Sequence, residues 1–90
     1  MKKSIITVVG KDSVGIIAKV CTYLAENNVN ILDISQSIVS DYFNMMMIVD
    51  ANSADKKIGM LEDELNALGE EIGVQIKIQQ EDIFNSMHRI

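Results

Sequence analysis

A turn bounded by two glycines joins the first apolar run of this chain to the first segment with helical spacing. The run at residues 5–9 is rich in β-branched side chains and halts at Gly10, and Gly15 opens the segment that follows. A glycine leaves φ unrestricted and lets another backbone or a small ligand come close. The pattern predicts a strand, a tight turn and a helix N-terminus, whose unpaired N–H groups are able to hold an anion.

Length and composition limit the chain to one small domain. It has 90 residues, of which 48% are hydrophobic and 23% are charged, as in ordinary soluble globular proteins. No apolar run approaches the ~20 residues that cross a bilayer, and the run that follows the first lysines is too short for a secretory signal. We therefore expect a cytoplasmic protein with no membrane partner.

Charge and aromatic content argue against nucleic acid as a partner. The formal net charge is −5, only eight residues are lysine or arginine, and tryptophan is absent. Binding to a polyanion usually requires a basic face, and base stacking requires aromatic side chains. The single cysteine, Cys21, has no second cysteine with which to form a disulfide or a metal pair. We expect neither a metal nor a cofactor.

Two segments have the apolar spacing of amphipathic helices. The first is predicted at about residues 14–26 and the second from about residue 53 or 54 to residue 68. Their apolar stripes consist of Ile17, Val20, Cys21 and Leu24 in the first helix and Ile58, Leu61, Leu65 and Leu68 in the second. The candidate N-caps are Asp12 or Ser13 for the first helix and Asn52 or Ser53 for the second.

Four segments have strand patterns, and their order with the helices is βαββαβ. Residues 4–9 and 43–50 are almost continuously apolar, as in strands at the centre of a sheet. Residues 29–39 and 74–79 alternate between apolar and polar side chains, as in half-buried strands at the edges. This order predicts an α+β fold of the ferredoxin-like class: a four-stranded antiparallel sheet in the order 4-1-3-2, with two helices on one face.

The last ten residues carry a separate pattern. Ile83, Phe84, Met87 and Ile90 fall on one side of a helix, so residues 81–90 are predicted to form a short amphipathic C-terminal helix. The domain itself is predicted at residues 1–80.

The chain lacks the residue sets of enzymes and of several other proteins with this fold. Its predicted first loop offers Lys11 but no arginine for phosphate chemistry, and it has no Cys-x-x-Cys for a metal ion. The only histidine, His88, lies near the C-terminal end without an evident partner. No nucleophile, base and orienting group are recognisable, so we expect no catalytic activity.

Two stretches together resemble the ACT domain, a small regulatory module of amino-acid metabolism. They are Val9-Gly10-Lys11-Asp12-Ser13-Val14-Gly15-Ile16-Ile17-Ala18 and Asn28-Val29-Asn30-Ile31-Leu32-Asp33. The resemblance extends over about residues 1–80, and the chain is similar to the stand-alone, single-ACT proteins of bacteria and archaea. It departs from some serine-binding members at Gly10, where they have histidine, and from many members at Val14, where proline is frequent.

The resemblance implies a non-catalytic regulatory module that binds a small amino acid or related metabolite between two copies of the domain. The implied ligand-binding residues are Gly10, Lys11, Asp12, Val14, Gly15 and Ile16 in the first loop of one copy, with Asn30 and Ile31 in strand two of the other. The Asp12 carboxylate would accept hydrogen bonds from the ammonium group of the ligand, and backbone N–H groups near Gly15 and Ile16 would donate to the ligand's carboxylate. Two alternatives stay open: a protein-interaction subunit without a small ligand, and an unrecognised small enzyme.

The predicted second strand also points to a homodimer. It is long and lies at an edge of the sheet, and an unpaired edge invites association. We expect Ile31 to lie on the face away from Leu32 and Ile34, where a second copy would cover it.

Overall fold

The computed structural model describes residues 3–11 and 15–80, which form four strands and two helices in the predicted sequence order. The elements are β1 (Lys3–Lys11), α1 (Ile16–Glu26), β2 (Asn30–Val39), β3 (Tyr42–Asp50), α2 (Ile58–Ile72) and β4 (Val74–Gln80). The strands form one antiparallel sheet in the order β2-β3-β1-β4, which is the predicted order read from the other edge. The predicted ferredoxin-like fold is confirmed. The helix predicted at residues 81–90 lies outside the described residues.

The core lies between the two helices and one face of the sheet. In β1, Ile6 and Val8 each pair with a methionine of β3 and an isoleucine of β4 on the same face. The helices add Val20 and Leu24 from α1 and Leu61 and Leu65 from α2, none of them more than 1% exposed. Full burial of such a side chain contributes about 1.5–3 kcal/mol relative to an exposed one. This layer therefore supplies most of the favourable free energy of folding.

The start of α1 differs from the prediction. The helix begins at Ile16, and its N-cap is Gly15, which has φ 91° and ψ 0°. The prediction that Asp12 or Ser13 is the N-cap is wrong, and both of those residues lie outside the described part of the chain. Glycine adopts this left-handed conformation without the steric cost of a Cβ.

The buried stripe of α1 also differs from the prediction. It consists of Ile16, Val20 and Leu24, whereas Ile17 is 37% exposed and Cys21 is partly buried. Residues four apart share a helix face, so either of two overlapping stripes satisfied the apolar spacing. The stripe that begins one residue earlier packs on the sheet.

The start of α2 is later than predicted. Its first residue is Ile58 and its N-cap is Lys57, so the prediction of Asn52 or Ser53 as the N-cap is wrong. The Asn52 N–H donates to Asp50 Oδ1 at 2.9 Å, which holds this asparagine in a turn before the helix. Its short polar side chain is typical of an N-cap, but its backbone N–H already donates to the side chain of Asp50 at the end of β3.

The end of α2 is also later than predicted. The helix continues past Leu68 and Gly69 to Ile72 and ends at Gly73, which has φ 80°. Gly69 is buried against β4, since a Cβ there would lie 2.6 Å from the Val74 carbonyl oxygen. Gly69 therefore allows α2 to pack closely on β4.

A polar contact fixes α1 beside α2. The Tyr23 hydroxyl donates to Glu64 Oε1 at 2.6 Å, and Lys56 Nζ donates to the same oxygen at 2.7 Å. The hydrogen bonds from Lys56 and then from Tyr23 lower the pKa of the Glu64 carboxyl. Burial, and then the hydrogen bond to Glu64, raises the pKa of the Tyr23 hydroxyl. Since Tyr23 faces α2, the 100° spacing of helical residues turns Ile17 and Cys21 away from α2.

β2 is exposed on both of its faces. Nine of its ten residues are exposed. The half-buried alternation predicted for β2 is therefore wrong. Its apolar side chains that are at least 40% exposed are Leu32, Ile34, Ile38 and Val39.

A β-bulge changes the faces of the residues in β2. Ile31 pairs with Val49 and Ile34 pairs with Met47, while one extra residue, Leu32, interrupts the register between them. Since alternate residues of β3 share a face, Ile31 and Ile34 both lie on the helix side of the sheet. The prediction that they lie on opposite faces is wrong, because an inserted residue reverses the alternation.

The β2–β3 hairpin turns on two residues with positive φ. Ser40 has φ 49° and Asp41 has φ 71°. Two successive residues in this region form a type I′ turn, which matches the twist of the strands and usually contains asparagine and glycine. A side chain in this conformation costs roughly 1–2 kcal/mol. The turn is thus strained where glycine would relieve it.

Replacement of Asp41 by glycine should stabilise the protein. We expect Asp41→Gly to raise the free energy of unfolding by about 0.5–1 kcal/mol, since the released strain exceeds the added entropy of the unfolded chain. Urea unfolding, with an unchanged m-value, measures this difference. Asp41→Ala is the control and should destabilise, because alanine tolerates positive φ less well than aspartate does. A lower urea midpoint for Asp41→Gly than for the wild type would contradict the strain in this turn.

A close approach between β1 and β4 occurs at Gly10. β1 continues through this residue to Lys11, past its predicted end at residue 9, and Gly10 pairs directly with Val74. A Cβ at Gly10 would overlap Val74 Cγ1 and lie 3.1 Å from Val74 Cα. The missing side chain therefore lets β4 begin beside β1.

Replacement of Gly10 by alanine should destabilise the protein through this overlap. We expect Gly10→Ala to cost about 1–3 kcal/mol, as overpacking usually does. Val74→Ala removes the overlapping methyl groups, so the double variant should be more stable than the sum of the single changes. Urea unfolding of the four proteins forms a double-mutant cycle. Gly59→Ala is the control, because open space surrounds Gly59. Additive single changes would contradict the overlap.

Candidate functional site

The N-terminus of α1 offers backbone donors at the end of the sheet where β1 ends. Of residues 3–11 and 15–80, none has an atom within 4 Å of the position of a Cβ on Gly15, so the N-cap borders open space in this part of the chain. The Lys19 N–H donates to the Gly15 carbonyl at 3.0 Å, which closes the first turn. The N–H groups of the residues before Lys19 in this turn have no partner within the helix. Among the described residues no side chain caps them.

Charge in the first turn of α1 does not oppose an anion. The described first turn contains no acidic side chain, and Ile16 is buried beneath it. The positive end of the helix dipole adds to the donors, so this point favours a carboxylate or a phosphate. Asp12 and Val14, which the resemblance assigns to the same site, lie outside the described residues.

The end of β1 adds a cation and an aromatic ring. Lys11 is exposed and pairs with Tyr42, which is 49% exposed, while Gly10 pairs with Phe43. Tyr42 is not among the residues predicted for the site. The hairpin turn gives the signal that was missed, because a two-residue turn at Ser40 makes Tyr42 the first residue of the strand that pairs with β1.

Asn30 and Ile31, the predicted site residues of β2, lie far from the end of β1 within one copy. Asn30 pairs with Asp50, which also pairs with Lys3, whereas Gly10 is seven residues further along β1. That separation corresponds to about 23 Å along the strand. Asn30 shares the open face of the sheet with Lys3, while Ile31 lies on the helix side. One copy thus brings Gly10, Lys11, Gly15 and Ile16 to one end and keeps Asn30 and Ile31 at the other.

Other kinds of site find no support in the described part of the chain. Residues 3–11 and 15–80 contain no group of three histidine, cysteine or acidic side chains that could hold a metal ion. Neither described helix has the length and apolar content that a membrane span requires. Chemically, the arrangement at the N-terminus of α1 suits an anionic group, and the exposed apolar side chains of β2 suit an apolar one.

Comparison with known proteins gives close relatives over the whole chain. A UPF0237 protein of Bifidobacterium longum is 62% identical over 90 residues, which is 100% of both chains. A UPF0237 protein of Methanocaldococcus jannaschii is 49% identical over 90 residues, again 100% of both chains. Relatives from a bacterium and an archaeon thus preserve this length.

A solved structure and a family model agree with the fold. The ACT domain protein from Streptococcus pneumoniae superposes with a TM-score of 0.82 and 43% identity, over 92% of this chain and 93% of that one. The model of the ACT domain family matches residues 3–79, which include every strand and helix described above except the last residue of β4. The chain therefore belongs to the ACT domain family.

Proposed function

We propose that this chain is a non-catalytic regulatory module that binds a small amino acid or related metabolite between two copies of itself. The observation that carries the proposal is the N-terminus of α1, where no side chain among the described residues caps the backbone donors beside Gly15. A carboxylate fits these donors, and Asp12 in the preceding loop is the acceptor for the ammonium group. Membership of a family of regulatory domains supports this choice of ligand.

A second copy completes the proposed site by pairing along β2. Two-fold antiparallel pairing of β2 with β2 of another copy would satisfy the exposed edge of the sheet. Ile38 lies level with Gly10, because both pair with Phe43, and Asn30 begins the same strand. In an antiparallel pair, Asn30 of the second copy would lie at the Gly10 end of the first. In this arrangement Ile31 of the second copy would lie on the helix side at this end of the sheet, and its Asn30 would lie next to it on the open face.

A lysine in the middle of β2 should prevent this dimer. Ser35 is exposed and central in the strand, so in a two-fold pair each Ser35→Lys side chain would approach its own copy and repel it. Sedimentation equilibrium at micromolar concentration should give about twice the 10.0 kDa chain mass for the wild type and about the chain mass for Ser35→Lys. Ser53→Lys, in the exposed loop before α2, is the control. A monomeric wild type, or a dimeric Ser35→Lys, would contradict β2 pairing.

A ligand that binds only the folded dimer should raise its melting temperature. At a concentration one hundred times Kd the stabilisation is about 2.7 kcal/mol, which corresponds to roughly 10–20 °C for a domain of this size. The measurement is a thermal shift with the twenty amino acids and common metabolites at millimolar concentration. Asp12→Ala should abolish the shift, and Asn30→Ala should weaken binding from the second copy.

Mixed dimers separate a shared site from two independent ones. Equal amounts of Asp12→Ala and Asn30→Ala chains should recover some binding. A dimer has two shared sites, and in a mixed dimer one of them keeps wild-type Asp12 from one chain and wild-type Asn30 from the other. If no compound moves the wild-type melting curve, the ligand proposal fails. A protein-interaction subunit, whose exposed β2 binds another protein, is then the function that fits.

A further inference from the structure

An apolar patch lies on the open face of the sheet, which is the face turned away from both helices. Its residues are Ile5 in β1 and Met46 and Ile48 in β3. Ile5 lies on this face because its neighbour Ile6 belongs to the core, and successive residues of a strand point to opposite faces. Ile48 pairs directly with Ile5, and Met46 is two residues away from Ile48 on the same face. We call these three residues the open-face patch.

Ile5 is buried although it lies outside the core. It is only 5% exposed, yet it does not belong to the core cluster of the described residues. Val9, on the same strand and the same face, is 41% exposed and borders an open depression of about 280 Å³. The two described helices pack on the other face, so neither of them covers Ile5. The burial of Ile5 therefore points to a cover from another segment.

β4 ends beside the open-face patch. Gln79 pairs with Ile5 on the open face, and Gln80 is the last residue that the structure describes. Ten residues, 81–90, follow it. As a helix they would extend about 15 Å. From β4 to β2 the sheet has three strand spacings, or about 14 Å. The segment is thus long enough to cross the patch from one edge of the sheet to the other.

The sequence of this segment matches the patch in apolar content. Four of its residues share one side of the predicted amphipathic helix: Ile83, Phe84, Met87 and Ile90. From the first to the last of them a helix rises about 10 Å, which is close to the two strand spacings from β4 to β3. The apolar side of the helix therefore has the length of the surface that Ile5 and Ile48 offer.

Charges at the two edges of the sheet match the two ends of the segment. Lys77 is exposed on the open face of β4, and the segment begins with Glu81 and Asp82 directly after this strand. At the other edge, Asp33 of β2 is exposed on the open face, level with the patch. Arg89 is the last residue but one of the segment. A helix that crosses the sheet from β4 to β2 brings opposite charges together at both ends.

We infer that residues 81–90 fold back as an amphipathic helix onto the open-face patch of their own chain, with Phe84 against Ile5 and Ile48. The model of the ACT domain family matches residues 3–79, so the segment is an addition to the domain. The relatives from Bifidobacterium longum and Methanocaldococcus jannaschii extend over it as well. This contact is independent of the proposed ligand site. It covers the apolar part of the open face and leaves the β2 edge available to a second copy.

Methyl NMR of the full chain tests the contact directly. With ¹³C-labelled isoleucine methyl groups, the ring protons of Phe84 should show nuclear Overhauser effects to Ile5 and Ile48. Ile6 is the matched control, since it is the next residue of β1 and belongs to the core on the other face. It should show no such effect. Absence of effects from Phe84 to both patch isoleucines would overturn the inference.

A mixed sample separates the chain's own segment from that of a second copy. Chains with labelled isoleucine are combined with unlabelled chains, and effects between the two kinds of chain are selected. We expect none from Phe84 of one chain to Ile5 of the other. Effects that occur only between different chains would overturn docking within one chain, because a second copy would then supply the cover.

Thermal unfolding of full-length variants measures the coupling. Phe84→Ala should lower the melting temperature by about 5–10 °C, since it removes most of the apolar contact with the patch. In an Ile48→Ala background the same change should have less than about half this effect, because the partner is already truncated. Met60→Ala is the control background, since Met60 is 52% exposed on α2, and there Phe84→Ala should keep its full effect.

Two further variants keep this measurement decisive. Asn85→Ala, on the other side of the predicted helix, should leave the melting temperature unchanged. Met46→Ala replaces Ile48→Ala as the background if Ile48→Ala does not fold. An equal effect of Phe84→Ala in the patch and Met60→Ala backgrounds would overturn the contact, and so would equal effects of Phe84→Ala and Asn85→Ala.

Discussion

The close packing of α2 on β4 is the contact on which the rest of the structure depends. Gly69 allows it, because any side chain there would collide with the backbone of β4. The hydrogen bond from Tyr23 to Glu64 then ties α1 to α2. At the opposite edge of the sheet, nine of the ten residues of β2 are exposed.

Two properties come together at the end of the molecule where α1 begins. The N-terminus of α1 presents backbone donors, and the end of β2 presents exposed apolar side chains. Each property by itself is common and has a structural explanation. A fold of this class also hosts many unrelated functions, so the fold alone does not select one. Their proximity, together with membership of the ACT domain family, is what favours a binding module.

Much of the fold could be predicted from the sequence, because the apolar patterns of β1 and β3 differ so clearly from those of β2 and β4. The features that could not be predicted depend on contacts between distant residues. Asn52 has the side chain of a cap, but its backbone bonds to Asp50 instead. The order of apolar and polar residues around Leu32 gives no sign of the bulge, which reverses the alternation of faces only through the pairing with β3. The glycine at the N-cap of α1 was visible in the sequence, yet the polar residues before it were the stronger local signal.

The position of β1 between β3 and β4 has a consequence for the order of folding. Val8 at the centre of the sheet pairs with Met45 and with Ile76, which is far along the chain. A ribosome delivers β3 before β4, so in the growing chain β1 has its β3 partner while its β4 side is still open. Contacts between residues so far apart in the chain form slowly, and strand edges stay unpaired until they form. The sheet therefore closes only after α2 and β4 have emerged together, since the close fit at Gly69 requires both.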